Sequence, residues 1–170
     1  MSERERKNLN IETFSWTLSQ FMHGEQGALL ATAQLVDSVK DLDSKLYAAS
    51  QVVDEARHVD VYNRYVHSKV GIGYPISPHL KTLLDMILKD SRWDMKFLGM
   101  QIIVEGLALA AFGTIRDTTT NPLLRDLIAY VMEDESRHVA FGVLSLREFC
   151  LDLSQKDKEE REDFVYEACV

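Results

Sequence analysis

The sequence Asp54-Glu55-Ala56-Arg57-His58-Val59 recurs in the second half of the chain as Asp134-Glu135-Ser136-Arg137-His138-Val139, with a change only at the third position. Each copy contains Glu-x-x-His, and residues three apart on an α-helix are neighbours on its surface. A strand would instead direct the two side chains to opposite faces. With 13 Glu and five His in the chain, chance alone gives about 0.4 such motifs. Two motifs in matching contexts therefore indicate a site built on helices.

A further glutamate precedes each motif by the same distance along the chain, in an apolar stretch of small residues. Glu25 lies in HGEQGALLATA, and Glu105 lies in VEGLALAAFG. Alignment of the two hexapeptides also aligns these two glutamates and three apolar pairs: Ala28 with Ala108, Leu29 with Leu109, and Ala31 with Ala111. The repeat predicts two helical hairpins that share one core, with the site where the halves meet.

Four glutamates and two histidines on four helices predict a dinuclear metal site. Carboxylates inside an apolar bundle are costly unless cations pair with them. Iron and manganese favour mixed carboxylate and imidazole ligands, and no cysteine lies near either motif. We expect Glu25 and Glu105 to be terminal ligands and Glu55 and Glu135 to bridge the two ions. His58 and His138 would each cap one ion.

The Asp and Arg of each hexapeptide are predicted to support the ligands. Asp54 and Asp134 can accept a hydrogen bond from the second ring nitrogen of the His on the opposite helix, and Arg57 and Arg137 then pair with those Asp. The alternative is that all four are ordinary exposed charges. The other histidines lack ligand spacing and are predicted not to bind metal: His23, His67 and His79.

Helical periodicity predicts an all-α fold in one domain of residues 1–170. Glycines and prolines between residues 71 and 78 interrupt the pattern, so that residues 70–90 form a crossover between two hairpins. No Gly or Pro stop signal follows the apolar pattern at the end of the chain, which is consistent with a truncated core. The predicted helices cover residues 11–36, 41–69, 79–88, 92–116 and 122–151, with an extra C-terminal helix after Ser154.

The net charge of −8 and the pI near 5.1 argue against non-specific binding to nucleic acid or to an anionic membrane. The sequence has no run of 18 apolar residues and no basic-then-apolar leader. We therefore expect no membrane span and a cytoplasmic location.

The repeated Asp-Glu-x-Arg-His, each copy preceded by a helix-borne Glu, resembles the ferritin-like di-iron carboxylate superfamily over nearly the whole chain. It is similar in particular to the hydroxylase subunits of bacterial multicomponent monooxygenases. The wider group includes ribonucleotide reductase small subunits, acyl-carrier-protein desaturases and arylamine N-oxygenases. The resemblance implies a ferritin-like four-helix bundle and activation of O2 at two iron ions, with manganese in the second position as an alternative.

The same resemblance implies particular partners. These are O2, a small hydrophobic organic substrate, and an external electron donor such as a reductase or a ferredoxin. An external donor is needed because the sequence contains no flavin or nicotinamide motif. We also expect a homodimer.

The chain departs from each branch of this superfamily. Ala108 and Leu109 occupy the turn where monooxygenases and desaturases place a Thr. Val131 stands where arylamine N-oxygenases have a third His. Gly27 and Met100 stand where the ligand-binding oxidases carry a cross-linked Val and Tyr. The resemblance therefore leaves the reaction open.

Tyr62 lies four residues after His58, where ribonucleotide reductase small subunits hold their radical-bearing tyrosine. The resemblance suggests a redox role for it, and a buried core tyrosine is the alternative. Residues one or two turns from the ligands are predicted to line an apolar pocket for O2 and substrate. These pocket residues are Ala28, Leu29, Ala108, Phe112 and Phe141.

Three functions remain open at this point. A di-iron oxidase or monooxygenase leads, because storage ferritins generally lack one of the two Glu-x-x-His motifs. A ferritin-like ferroxidase or iron-handling protein is the second. The third is a helical scaffold that metal ions only stabilise.

Overall fold

The computed structural model describes residues 1–169, and within them the chain is all-helical, with six helices and no β-strand. The all-α prediction is confirmed. The helices are α1 (Glu3–Ser38), α2 (Leu42–Tyr65), α3 (Pro78–Lys89), α4 (Trp93–Thr118), α5 (Pro122–Phe149) and α6 (Gln155–Cys169). A π-helical turn, Val66–Val70, extends α2.

Side-chain caps define where the long helices begin. Asp41 and Asn121 cap α2 and α5 by accepting hydrogen bonds from the backbone N–H groups of Ser44 (2.8 Å) and Leu124 (3.1 Å). α1 begins at residue 3, before the predicted residue 11, because Ser2 and Glu5 form a reciprocal capping box. The charged start of the chain is therefore helical.

The four long helices pack as two hairpins. α1 packs along α2, α4 packs along α5, and α2 contacts α5, which closes a bundle. α3 lies in the crossover between the hairpins and packs on α1, and α6 packs on α4. Apolar residues fill the bundle on both sides of one central polar layer. On one side lie Leu18, Tyr62, Phe112, Leu124 and Ile128, and on the other lie Leu35, Ala48, Phe97 and Leu146.

α4 is not a regular α-helix, a feature that the helical periodicity of the sequence does not predict. Its residues Phe97–Val104 are π-helical, and regular α-helix resumes at Glu105. A π-helical segment has more residues per turn, so it changes which face the following residues present to the bundle. The segment lies close to its neighbours at two glycines. A Cβ on Gly99 would lie 2.6 Å from Ile87 Cγ1, and one on Gly142 would lie 2.7 Å from Gln101 Cβ.

α4 is also long and apolar enough to cross a membrane, judged by length and composition alone. One third of its most apolar window is buried inside the structure. The central helix of a soluble bundle meets the same criteria. On this helix the buried residues include the polar side chains Gln101 and Glu105, which face the bundle interior.

Substitution of Gly142 by Ala is expected to destabilise the fold by about 1–3 kcal/mol. The added methyl group would meet the Cβ of Gln101, which is fixed to the backbone, so α4 and α5 would have to separate. Urea unfolding measures the change. Gly106→Ala is the matched control, because no atom lies within 4 Å of a Cβ there. That variant should gain roughly 0.5–1 kcal/mol, and equal stabilities for both variants would contradict the close contact.

Candidate metal centre

The structure brings all six predicted ligands together in the central polar layer. α1 supplies Glu25, and α4 supplies Glu105 directly after its π-helical segment. α2 and α5 each supply the Glu and His of one motif. All six side chains are buried, with exposures of 5% or less. The six are Glu25, Glu55, His58, Glu105, Glu135 and His138.

Their ligand atoms form two overlapping groups, each of which can hold a metal ion. Within each group the chosen ligand atoms all lie within 4.8 Å of one another. Both groups contain the same two glutamates, Glu55 and Glu135. The first group adds Glu25 and His58, and the second adds Glu105 and His138.

The two shared glutamates present one oxygen to each group. Glu55 Oε1 lies 3.2 Å from His138 Nδ1, and Glu55 Oε2 lies 3.5 Å from His58 Nδ1. Glu135 Oε1 lies 3.0 Å from His58 Nδ1, and Glu135 Oε2 lies 3.4 Å from His138 Nδ1. A carboxylate that bridges two ions needs this orientation, with one oxygen directed to each ion.

Hydrogen bonds across the bundle orient both imidazole rings. His58 Nε2 lies 3.1 Å from Asp134 Oδ2, and His138 Nε2 lies 3.3 Å from Asp54 Oδ2. Each Asp therefore supports the His of the opposite hairpin. Donation from Nε2 to the Asp leaves Nδ1 directed at the carboxylates, where its lone pair can bind a metal ion.

The two arginines lie in the same network on the outer face between α2 and α5. Arg57 Nη2 lies 2.8 Å from Asp54 Oδ1 and 2.6 Å from Asp134 Oδ2. Arg137 forms an ion pair with Asp134 and lies 3.8 Å from Asp54 Oδ2. The arginine side chains are 53% and 54% exposed, whereas those of the aspartates are 23% and 15% exposed. The four charges join the two motif helices.

Burial and mutual repulsion make the carboxylates hard to ionise together. Burial raises the pKa of Glu25 well above its usual value, and burial with repulsion from Glu135 and Glu55 does the same for Glu105. Burial opposes the charge of His138, but the facing carboxylates of Glu135 and Glu55 outweigh it and raise the pKa of His138 to about 10. Without cations, protons must balance the charge of this layer.

The donor set fits divalent iron or manganese. Among the buried atoms that have no hydrogen-bond partner within the described residues, four belong to the ligand residues: Glu55 Oε2, Glu105 Oε2, Glu135 Oε1 and His58 Nδ1. Cations would satisfy these atoms, and a mixture of carboxylate oxygen and imidazole nitrogen suits these metals.

An apolar cavity of about 310 Å³ adjoins this layer between α1, α3 and α4. It contacts Glu25, Glu105 and Glu135. Ala28, Ala108 and Phe112 line it, as predicted. Its other apolar lining residues are Trp16, Phe21, Leu80, Leu83, Val104, Leu107 and Ala111.

Leu29 and Phe141, the other two predicted pocket residues, do not line this cavity. Leu29 directly follows Ala28 in α1, and its side chain is half-buried. The Phe141 ring packs instead on the far side of the layer, with ring centroids 4.3 Å from Tyr47 and 4.9 Å from Phe97. Proximity to a ligand along the helix did not determine which side chains face the cavity.

Tyr62 is fully buried beside the layer. Its ring centroid lies 6.0 Å from those of both Phe21 and Phe112. Its hydroxyl has no hydrogen-bond partner within the described residues. Burial, together with the charges of Glu25 and Glu135, raises its pKa well above the usual value. These surroundings suit a protonated core tyrosine beside the buried carboxylates, and its redox role stays a prediction.

Gln51, which the sequence analysis missed, is also part of the centre. Its Nε2 donates hydrogen bonds to Glu55 Oε1 (3.0 Å) and to Glu105 Oε1 (3.2 Å). The signal was available, because Gln51 lies one turn before Glu55 on the buried face of α2. His23, His67 and His79 lie outside both groups, and their not binding metal stays a prediction.

Comparison of the chain with protein-family models, with curated proteins and with solved structures found no match. A fold alone does not imply a function, and functions depend on the chemistry of sites. We therefore infer the function from the geometry of the metal centre and its cavity.

Without metal, the protein is expected to lose stability as the pH rises from mildly acidic to alkaline. Glu25 and Glu105 have raised pKa values, and the pKa of His138 rises from 6.5 to about 10, so the folded state holds more protons than the unfolded state. The pKa of Glu55 is lowered from 4.5 to about 2. The stability that this group contributes is therefore complete above pH 4.5 and is lost only as the pH falls towards 2, below the mildly acidic to alkaline range.

Urea unfolding in a chelator, at about pH 5.5 and about pH 8.5, measures this dependence. We expect the lower midpoint at the higher pH. Excess Mn²⁺ should reverse the trend, because metal ligands bind in their deprotonated forms. A midpoint that rises with pH in the chelator would contradict the proton balance described above.

Proposed function

We propose that this protein is a ferritin-like di-iron oxidoreductase, an oxidase or monooxygenase that uses O2 to oxidise a small apolar organic molecule. The observation that carries the proposal is the placement of Glu55 and Glu135 between two ligand groups, with one oxygen directed at each His. A site for one ion does not need two carboxylates that belong to both ligand groups, whereas a site for two bridged ions does.

Two bound iron ions, or one iron and one manganese ion, would supply the redox chemistry with O2. The protein's own residues hold and orient that chemistry. Glu55 and Glu135 set the separation of the two positions, and Asp54 and Asp134 hold His138 and His58 with Nδ1 directed inward. Glu25 and Glu105 complete one position each.

The cavity supports an apolar substrate rather than an ionic one. Its wall is formed mainly by Ala, Leu, Val and aromatic side chains. Gln20, the main polar residue of the wall, is already hydrogen-bonded to the carbonyl of Pro75 (3.0 Å) and the N–H of Ser77 (2.7 Å). A neutral molecule bound there would lie beside Glu25 and Glu105 against an apolar wall.

The apolar wall of the cavity also argues against the two alternative functions, a ferroxidase and a metal-stabilised scaffold. A ferroxidase has to conduct hydrated Fe²⁺ to its centre, and the apolar side chains of this cavity do not form such a route. A metal-stabilised scaffold has no use for an apolar cavity that reaches the ligands. The cavity therefore favours oxidation of an organic molecule over iron handling.

Further parts of the proposal rest on the chemistry of the reaction. Reduction of O2 requires electrons, so we propose an external reductase or ferredoxin as donor. The acidic chain, with a net charge of −8, suits a cytoplasmic protein that does not bind nucleic acid. A homodimer and a redox role for Tyr62 remain part of the same proposal.

Anaerobic titration with Fe²⁺, followed by metal counting, tests the dinuclear centre. We expect two iron ions per chain and rapid consumption of O2 when the loaded protein is mixed with it. Glu135→Gln should weaken iron binding at least about 10-fold, because it affects both positions. Glu133→Gln, on the exposed face of α5, is the matched control and should bind iron normally. A full complement of two ions in Glu135→Gln, at unchanged affinity, would overturn the proposed bridging.

Ala111→Leu is expected to fill part of the cavity and leave the metal centre intact. Binding of an apolar probe such as toluene should weaken about 10-fold, because the side chain occupies the space that the probe needs. Metal content should remain at two ions per chain. Ala110→Leu, at an exposed position of the same helix, is the control and should bind toluene like the unaltered protein. Equal toluene affinities in both variants would mean that this cavity is not the substrate site.

A further inference from the structure

The internal repeat allows each half of the centre to be compared with the other. The ligands match in pairs, but the residues one turn before the shared glutamates do not. On α2, Gln51 lies one turn before Glu55, and on α5, Val131 lies at the equivalent position before Glu135. Both side chains are buried, with 0% and 3% exposure. An amide therefore lies in one half where an apolar side chain lies in the other.

Gln51 connects two ligands of one metal-binding group. Its amide nitrogen has two hydrogens, and these reach Glu55 Oε1 and Glu105 Oε1 at 3.0 and 3.2 Å. Both carboxylates belong to the group that contains His138. Glu105 Oε2 has no hydrogen-bond partner within the described residues and is free to bind a cation. Glu55 Oε1, which faces His138, keeps a second lone pair for the same ion. Gln51 fixes these two carboxylates before any ion arrives.

The counterpart of Glu105 in the other group lacks such a support. Glu25 lies 3.4 Å from His58 Nδ1, the ring nitrogen that faces the carboxylates. His58 Nδ1 has no hydrogen-bond partner within the described residues, and once it binds an ion it has no hydrogen to donate to Glu25. Val131 has no polar atom that could act as a donor in its place. Glu105 has the Gln51 amide as a donor, so Glu25 is the less constrained of the two carboxylates.

The surroundings of the two halves show the same difference. Buried polar side chains accompany Gln51 on its side of the layer, namely Thr32 and Gln101. The repeat matches these positions to Phe112 and Phe21, which pack with Tyr62 on the other side. Polar side chains can stabilise a cation and its ligands, whereas the aromatic cluster cannot do so through hydrogen bonds.

We infer that the two ion positions are unequal and that Gln51 is the positioning residue that makes them so. The position formed with Glu105 and His138 binds a divalent ion first, and the position formed with Glu25 and His58 binds second and exchanges more readily. This inference rests on the proposed two-ion centre. Ligands held in place before binding lose less freedom when the ion arrives, and residues that support ligands in this way commonly change metal affinity about 10–100-fold.

Calorimetric titration of the full chain with Mn²⁺ alone tests the inference. We expect two binding steps that differ at least about 10-fold in affinity. Single replacements identify the position, because His138→Ala should remove the tighter step and His58→Ala the weaker one. Gln51→Leu preserves approximate volume but removes the amide, and it should weaken the first step about 10-fold or more.

The repeat provides a matched counterpart in Val131→Gln. The new amide is placed to reach Glu135 and Glu25, so it should strengthen the second step and reduce the difference between the two positions. In the combined variant, Gln51→Leu with Val131→Gln, His58→Ala should instead remove the tighter step. A variant that merely loosened the fold would not exchange the order of the two positions in this way. If Gln51→Leu fails to fold, Val131→Gln carries the test alone.

The outcomes separate this inference from the proposed function. Two steps of equal affinity, or an order unchanged by the variants, would overturn the role of Gln51 while the two-ion centre stands. Binding of fewer than two Mn²⁺ ions per chain would overturn the two-ion centre itself. Unequal steps that follow the amide from one half to the other support both.

Discussion

Repulsion among four buried carboxylates is the constraint on which the rest of this structure depends. Glu25, Glu55, Glu105 and Glu135 lie in one layer of a helical bundle, with apolar clusters on both sides. Such a layer is stable only when positive charge balances it. Without metal, the two histidines provide part of that balance as imidazolium ions. Two divalent ions would replace this charge, since a ring nitrogen that binds an ion has lost its proton. The apolar clusters stabilise the bundle, and their burial offsets the unfavourable free energy of the buried carboxylates.

The centre and the cavity together narrow the chemistry. The shared carboxylates keep two positions close to each other, and the cavity brings an apolar wall to the ligands Glu25 and Glu105. Because the wall beyond the ligands carries no charge, selection of a substrate depends on its shape and on its lack of charge. The hydrogen bonds of Asp54 and Asp134 lie on the opposite, outer face, where they orient the rings without occupying the cavity.

The sequence was sufficient for the helices and for the six clustered residues, because both depend on local rules. Glu-x-x-His needs only helical spacing, and the caps at Asp41 and Asn121 need only a side-chain oxygen before a helix. The π-helical segment of α4 could not be predicted, since FLGMQIIV is as apolar as any buried α-helix. The placement of Phe141 away from the cavity depends on how α5 packs against α2 and α4, which no local rule specifies. Gln51 could have been found from its position on the buried face.

The crossed hydrogen bonds between the halves have a consequence for how such a chain can diverge. Each hairpin orients the histidine of the other, so a hairpin that paired with an identical copy could build the same centre with perfect two-fold symmetry. In that symmetric pair, one residue type would have to serve at both places now held by Gln51 and Val131. A single chain removes that restriction. Covalent connection of the halves thus gives evolution two independently adjustable metal positions where a symmetric pair has only one.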